Sequence, residues 1–344
     1  MLADYTNAPR RIRIIGAGDA VRKFSETKRT HSALLMNGSR WYKSRRLTES
    51  QPLALRKETY YMKTHIRKFF SVAVAVVLLC CYSMPTFAWG PAGHRIVAMI
   101  AQQNIKQQTR NRIRQILGSN VSLASVATYA DAVRDRFPHT YNNHFVDIPK
   151  NLNDYVATRD CQEDPEKGDC VLAALQRFRA EATNPNESIG RRRFALKFIV
   201  HLIGDMQQPL HCSDNNDRGG NDVKVKWFGA DSNLHKVWDS KIIENAELTE
   251  EDFAEALLLD LTPQEINDLK RGNLLSWALE AHTVARTNTY NVPASLELGD
   301  DYYDQNWAVV DKQLLRGGMR LARVLDWMFA PHTGTNSQNP FVLQ

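Results

Sequence analysis

The sequence predicts an all-α fold with one small β-hairpin. Two observations carry that class: apolar residues recur every three or four positions in segment after segment beyond residue 89, and a period of two shows only at Val223, Val225 and Trp227, behind Gly219 and Gly220. A third observation locates the fold. A basic opening at Lys63, Arg67 and Lys68 is followed by an apolar stretch from Phe69 to about Cys81 and by small or polar residues up to Ala88, which is the order of a secretory signal starting at Met62.

The domains then read as an upstream extension over residues 1 to 61, a signal peptide over 62 to 88, one helical domain over 89 to 330 and a flexible tail over 331 to 344. The extension is basic and polar, lacks a clear period and precedes a second start methionine, so it is placed outside the functional fold. The apolar run is shorter than the roughly 20 residues a bilayer span takes, with an uncut signal anchor as the alternative. A lipoprotein is disfavoured because Leu79 and Cys80 stand where a small residue should precede Cys81.

The net charge of the 344 residues is +6, but it is unevenly spread. Residues 1 to 88 hold 16 Lys and Arg against 5 Asp and Glu, and residues 89 to 344 hold 28 against 33. The segment after the cut is therefore mildly acidic, and a uniformly basic surface is excluded as its means of holding an anionic partner. Its 256 residues suffice for one sizeable core.

Helices are expected over His94 to Gln107, Thr109 to Leu117, Leu123 to Arg134, Arg193 to Met206, Leu234 to Asn245, Asp252 to Leu259, Asn273 to Thr287 and Asn306 to Phe329, with Thr262 opening a short segment. Residues 222 to 228 form the strand or hairpin. Tyr155 to Gly168 and Asn288 to Tyr303 read as irregular. In an exported, oxidising setting Cys161 and Cys170, separated by a polar loop, are the expected disulfide, and Cys212 is a buried thiol or structural partner.

Ligand-type side chains are spaced unusually on this helical chain. In FALKFIVHLIGDMQQPLH, His201 and Asp205 stand four apart, so both reach one point on one helical face; His211 follows Pro209, and His235 and Asp239 repeat the spacing in NLHKVWDSKI. One such pair is usually a polar contact. Two pairs in apolar helices are another matter, because an ionised aspartate there costs several kcal/mol unless paired or liganded. Asp131 in ATYADAVRD, His144 in NNHFVDIP and His94 in GPAGHR complete the supply, each with a plainer reading as a helix-surface charge, a loop histidine or a helix-start residue. His139 and His282 lack partners at ligand spacing and are assigned surface or core roles.

Taken in order, WGPAGH, YADAVR, NNHFVDIP, FIVHLIGDMQQPLH, GGND and LHKVWD resemble the zinc-dependent S1/P1 nuclease family over nearly all of residues 89 to 330. WALEAHTVA and GGMRLARVLD resemble family segments too. The resemblance implies the all-α fold shared by P1 nuclease and zinc phospholipase C and three Zn2+ ions. It assigns one ion to Asp131, His144, His201 and Asp205, a second to Trp89, His94 and the shared Asp205, and a third to His211, His235 and Asp239. In that family the terminal tryptophan binds through its free amine and carbonyl, so the cut after Ala88 would create part of the site. An α-amino group, with a pKa of about 7.7 to 8.0, sheds its proton to a metal near neutral pH.

The activity implied is hydrolysis of single-stranded DNA and RNA to 5'-phosphorylated products, together with 3'-nucleotidase activity, through zinc-activated water attacking phosphorus. Arg134 would offset charge on the phosphate, with a salt bridge to a neighbouring acid as its plainer reading. Phe145 would stack a base, Asp147 would hydrogen-bond it, and Asn221 would lie near the third ion and the ligand. Three zincs against three aspartates leave the pocket near roughly +3, which lets an acidic chain hold a polyanion. The implied partners are single-stranded nucleic acid and 3'-nucleotides, for a monomer secreted or periplasmic and not stably membrane-associated once cut.

Three positions depart from the family pattern: Tyr129 for a tryptophan, Asp217 for an apolar base clamp and Ser240 after Asp239. A zinc phospholipase C is the rival enzyme, disfavoured by the short gap in WGPAGH and by Asp239 where that family closes with glutamate. A non-catalytic, membrane-anchored zinc module is the reading from another class. Asn120 and Asn186 head glycosylation sequons that matter only in a eukaryotic secretory host.

Overall fold

The computed structural model describes residues 89 to 329 and 339 to 343. The expected extension, the signal segment and most of the C-terminal tail lie outside the described residues.

Helix α1 (Pro91–Asn104) begins with proline at its first position, where the missing N–H costs nothing and φ is already helical. It is followed by α2 (Gln107–Leu117), which stops at Gly118 with φ 112°. The helix expected over Leu123 to Arg134 is instead a 3-10 turn, Ala124–Val126, and a short α3 (Tyr129–Val133). Thr128 leaves helical conformation between them (φ −100°, ψ 10°), and the break releases the Ala127 carbonyl to accept a hydrogen bond from His201 Nδ1 at 2.6 Å. A second difference is α4 (Val171–Thr183), an additional helix burying Leu172, Leu175 and Phe178.

The long α5 (Ile189–Asp205) is capped by Ser188, whose side chain accepts from Arg191 N, and its second half is buried on every side. Helices α6 (Glu250–Leu258) and α7 (Pro263–Lys270) follow, the latter held by a reciprocal capping box between Thr262 and Glu265, as the short segment after Thr262 suggested. Helix α8 (Leu274–Val284) runs into a π turn, Ala285–Thr289. The last helix, α9 (Asp300–Phe329), starts six residues before the expected Asn306.

Strands β1 (Lys224–Trp227) and β2 (Ala230–Asn233) form the hairpin, with Val225 opposite Ser232. The otherwise irregular stretch before α9 adds a short β3 (Glu297–Leu298) parallel to β1, giving the order β2-β1-β3. All-α remains the class, because the sheet is a minor appendage to the helices.

The packing places α1 at the centre, against α9, α6 and α5, while α4 covers α5 from outside. Gly318 on α9 permits the closest approach: a Cβ there would collide with the Ile100 side chain and come within 3.1 Å of the Val97 carbonyl. Fully buried Ile96, Ile100, Leu196, Phe198 and Trp238 fill the interior, each contributing about 1.5–3 kcal/mol of transfer free energy. The expected flexible tail is anchored near its end, where Phe341 is buried against Trp327 and the Pro340 carbonyl accepts from Leu274 N at 2.8 Å.

Cys161 and Cys170 form the expected disulfide, with Cα atoms 5.0 Å apart. Cys212 is a buried free thiol whose Sγ–H faces the Met206 carbonyl at 3.4 Å, and burial pushes its pKa upward. His282 is a core histidine, with Nε2 2.8 Å from the Leu152 carbonyl. No helix among the described residues is long and apolar enough to cross a membrane.

Candidate metal centre

Five of the sequence-selected side chains converge at the inner ends of α1 and α5. His201 and Asp205 are fully buried on one face of α5, with Nε2 3.2 Å from Oδ2. From α1, His94 brings Nε2 to 3.2 Å from Asp205 Oδ1 and stacks its ring 3.8 Å from that of His201. His144, last in the 3-10 segment Pro138–His144, places Nδ1 2.9 Å from Asp205 Oδ2 and 3.2 Å from His201 Nε2. Asp131 on α3 faces the same point, 3.6 Å from His201 and 3.8 Å from His144. Asp205 thus touches three imidazoles at once.

The second gathering rests on shorter elements. His211 closes a 3-10 turn, Pro209–His211, while His235 and Asp239 lie on a continuous helical run made of Leu234–Lys236, the π turn Val237–Lys241 and Ile242–Glu244. The expected helix over Leu234 to Asn245 is therefore present with a π turn in its middle, the segment that carries Asp239. His211 and His235 oppose their Nε2 atoms at 3.2 Å, and Asp239 Oδ2 lies 3.3 Å from His235 Nε2.

Hydrogen bonds on the far side of each ring decide what these nitrogens offer. His201, His211 and His235 direct Nδ1 to the carbonyls of Ala127, His144 and Gly219, at 2.6, 2.8 and 2.6 Å. Each Nδ1 therefore carries a proton; in His211 and His235, which burial keeps neutral, Nε2 is left as a lone pair aimed into the site, whereas the Nε2 of His201 shares a second proton with Asp205, which a metal ion would displace. Two such lone pairs 3.2 Å apart at His211 and His235 repel unless a cation lies between them. Gly219 needs its glycine: φ is 58°, and a Cβ would stand 2.6 Å from the Leu210 carbonyl.

Several buried polar atoms around the centre lack a hydrogen-bond partner, among them His94 Nδ1, Asp131 Oδ1 and His144 Nε2. Buried polar groups are normally satisfied, so this cluster of orphans fits a set of donors to metal ions. Three groups of donor atoms lie within 4.8 Å of one another: His94, Asp131 and His201; His144, His201 and Asp205; and His211, His235 and Asp239. Imidazole and carboxylate together suit a borderline divalent cation such as zinc.

Electrostatics separate the two gatherings. Burial alone would raise the Asp205 carboxyl, yet the His201 charge and hydrogen bonds from His144, His201 and His94 hold it well below the usual range. Burial pushes His211 down to about 3 and His235 to about 4, keeping both neutral. At Asp239 burial prevails, and its carboxyl is raised despite a hydrogen bond from Gln208.

That glutamine carried no signal in the sequence beyond its place in MQQPLH. It is fully buried, its Oε1 accepts from Leu210 N at 2.6 Å, and its Nε2 donates to Asp239 Oδ1 at 2.6 Å. Because the backbone N–H fixes which end is oxygen, the amide can only donate to Asp239.

The remaining candidates surround this centre. Trp89 is fully buried one turn before His94, and Gly90 N donates to the Asp239 carbonyl at 2.7 Å, which joins the start of α1 to the second gathering. Arg134, one residue beyond α3, holds its guanidinium 5.2 Å over the Tyr141 ring, and its charge reaches His235. Phe145 is half-buried in extended backbone directly after His144. Asp147 meets solvent on its outer side, but desolvation by surrounding protein, with repulsion from Asp214 and Asp160, pushes its carboxyl up to about 6. Asn221 donates to the Arg218 carbonyl at 2.9 Å and leaves Oδ1 buried without a partner.

The departures also find their places. Asp217 is turned inward as a loop fastener, accepting from Gly220 N at 2.7 Å and from Tyr290 OH at 2.9 Å. Tyr129 packs edge-on to Phe194 and Phe198 beneath the Lys197 ammonium, and Ser240 lies where a side chain at Gly90 would go.

A family model for the S1/P1 nucleases matches residues 89–330. The chain belongs to that family. Among its relatives, Nuclease P1 from Penicillium citrinum is 32% identical over 264 residues, covering 68% of this chain and 95% of that protein. Nuclease S1 from Aspergillus oryzae is 30% identical over 269 residues, 70% of this chain and 92% of the relative. Endonuclease 4 from Arabidopsis thaliana is 30% identical over 294 residues, 78% and 97% of the two chains. This S1/P1 nuclease is thus a hydrolase acting on nucleic acid, with several buried groups able to hold metal.

Proposed function

We propose that this S1/P1 nuclease is an exported enzyme that uses three Zn2+ to hydrolyse single-stranded DNA and RNA to 5'-phosphorylated products, with 3'-nucleotidase activity. The observation that carries the reading is the opposition of the His211 and His235 lone pairs beside the buried Asp239, which a cation between them makes favourable, adjoining a second buried gathering of imidazoles and carboxylates. Asp131, His144, His201 and Asp205 would hold one ion, Trp89, His94 and Asp205 a second, and His211, His235 and Asp239 a third. When bound, the ions supply Lewis acidity at the phosphate and lower the pKa of water.

The chain's own groups do the rest. Arg134, whose charge is felt at His235, would hydrogen-bond phosphate oxygens as they gain charge. The partly open ring of Phe145 offers a face on which any base can stack, and a base must leave its duplex neighbours to reach it, which favours single strands. Asp147, with a carboxyl near 6, can hold or release a proton opposite the base edge, while the unpartnered Asn221 Oδ1 offers an acceptor. Export follows from the signal reading, because the cut after Ala88 would free the Trp89 amine for ligation.

The test combines intact mass and metal content of exported protein with rates on single-stranded and duplex DNA, RNA, 3'-nucleotides and phosphatidylcholine. A terminus at Trp89, three zincs per chain and a single-strand preference are expected. Full activity in a chelated, metal-free preparation would refute the proposal, as would a preference for phosphatidylcholine.

A further inference from the structure

The first 42 residues after the proposed cut, 89 to 130, contain no aspartate or glutamate, yet they carry Arg95, Lys106, Arg110, Arg112 and Arg114. In a segment whose overall balance is acidic, this is the longest stretch that carries only basic charge, and the catalytic reading uses none of these cations. Arg95 is accounted for by Glu250. Arg110 and Arg114 are not accounted for: they stand four apart on α2, so their charges share one face and repel.

Both arginines line a surface groove of about 220 Å³ between α2 and the segment that leads to the Ala124–Val126 turn. Its floor includes Ile113 and Leu123, its rim carries the polar side chains of Asn120 and Ser122, and no acidic residue lines it. Arg110 is pinned by one hydrogen bond from Nη2 to the Gln102 carbonyl at 3.0 Å, while its Nε is buried without a partner. An anion in the groove would relieve the repulsion between the two guanidinium groups.

We propose that this groove is an exosite for the phosphate backbone of the nucleic-acid substrate, outside the metal centre. Gln102, which also lines the groove, lies eight residues beyond His94 on α1, a displacement of about 12 Å along the helix axis. A dinucleotide is too short to engage both places, and a longer strand can. The groove contributes affinity for length and takes no part in the chemistry.

The holoenzyme and its Arg110→Gln/Arg114→Gln double variant are compared on a dinucleotide and on a single strand of about 30 nucleotides. The dinucleotide kcat/KM is expected to stay unchanged, while KM for the long strand rises about five- to tenfold at low salt. Loss of two phosphate contacts should flatten the slope of log kcat/KM against log salt by about 1.4 on the long strand alone. Arg110→Lys/Arg114→Lys, which keeps the charges, should retain the wild-type length dependence and serves as the folding control. Equal loss on both substrates overturns the proposal, as does an unchanged KM for the long strand. Co-sedimentation with anionic vesicles that depends on these arginines while long-strand kinetics do not would assign the groove to membranes and equally overturn it.

Discussion

The two gatherings at the metal centre solve the same problem by different means. The first, around Asp205, is built on the rigid inner ends of α1 and α5, and three imidazoles keep its central carboxylate charged. The second, around Asp239, hangs on a 3-10 turn, a glycine loop and a π turn, and its carboxylate has one side-chain donor, Gln208. Partners within the protein largely offset the cost of burying charge in the first gathering. In the second they do not, so its order depends more on bound metal.

The sharpest break in that comparison is Asp205→Asn. One substitution should remove two of three metals and lower kcat on single-stranded DNA by on the order of 10³-fold, whereas Asp239→Asn should remove one metal; titrated metal content beside kinetics reads both. Chelation comes next. Amide exchange should rise around residues 207 to 221 and 235 to 241 while α1 and α5 stay protected, and uniform exposure would erase the proposed difference.

Gln208→Met keeps volume and removes the donor to Asp239. Metal affinity at the second gathering is expected to fall about 10–100-fold with the other two ions retained, measured by chelator competition. At the seam, where the His144 carbonyl holds His211 and Phe145 follows, Phe145→Ala should weaken single-strand binding by about 1–3 kcal/mol without loss of metal.

The smallest effect concerns Asp147. Its folded pKa near 6 lies above the unfolded value of about 3.9, so the folded chain holds the extra proton between those values and stability falls as pH rises through that window. Asp147→Asn should abolish that slope in pH-dependent melts and leave the metals in place.

How far these regions were legible beforehand follows their geometry. His201 with Asp205 and His235 with Asp239 are local matters, since four residues make about one helical turn, and the capping residue Thr262 acts within its own first turn. The break at Thr128 is not local. An uninterrupted apolar period over Leu123 to Arg134 favours one helix, and the competing interest of His201 in the Ala127 carbonyl lies 74 residues away. Helix α4 and the docking of Phe341 likewise depend on surfaces supplied by distant elements.

Periodicity and residue chemistry by themselves determined the all-α class and the supply of imidazoles and carboxylates, because side-chain spacing on a helix follows from backbone geometry alone. Tertiary structure alone decided which nitrogen of each ring faces inward, which carboxylate stays charged and that Gln208 is part of the site. Those outcomes depend on carbonyls and donors brought from far along the chain into a largely buried space.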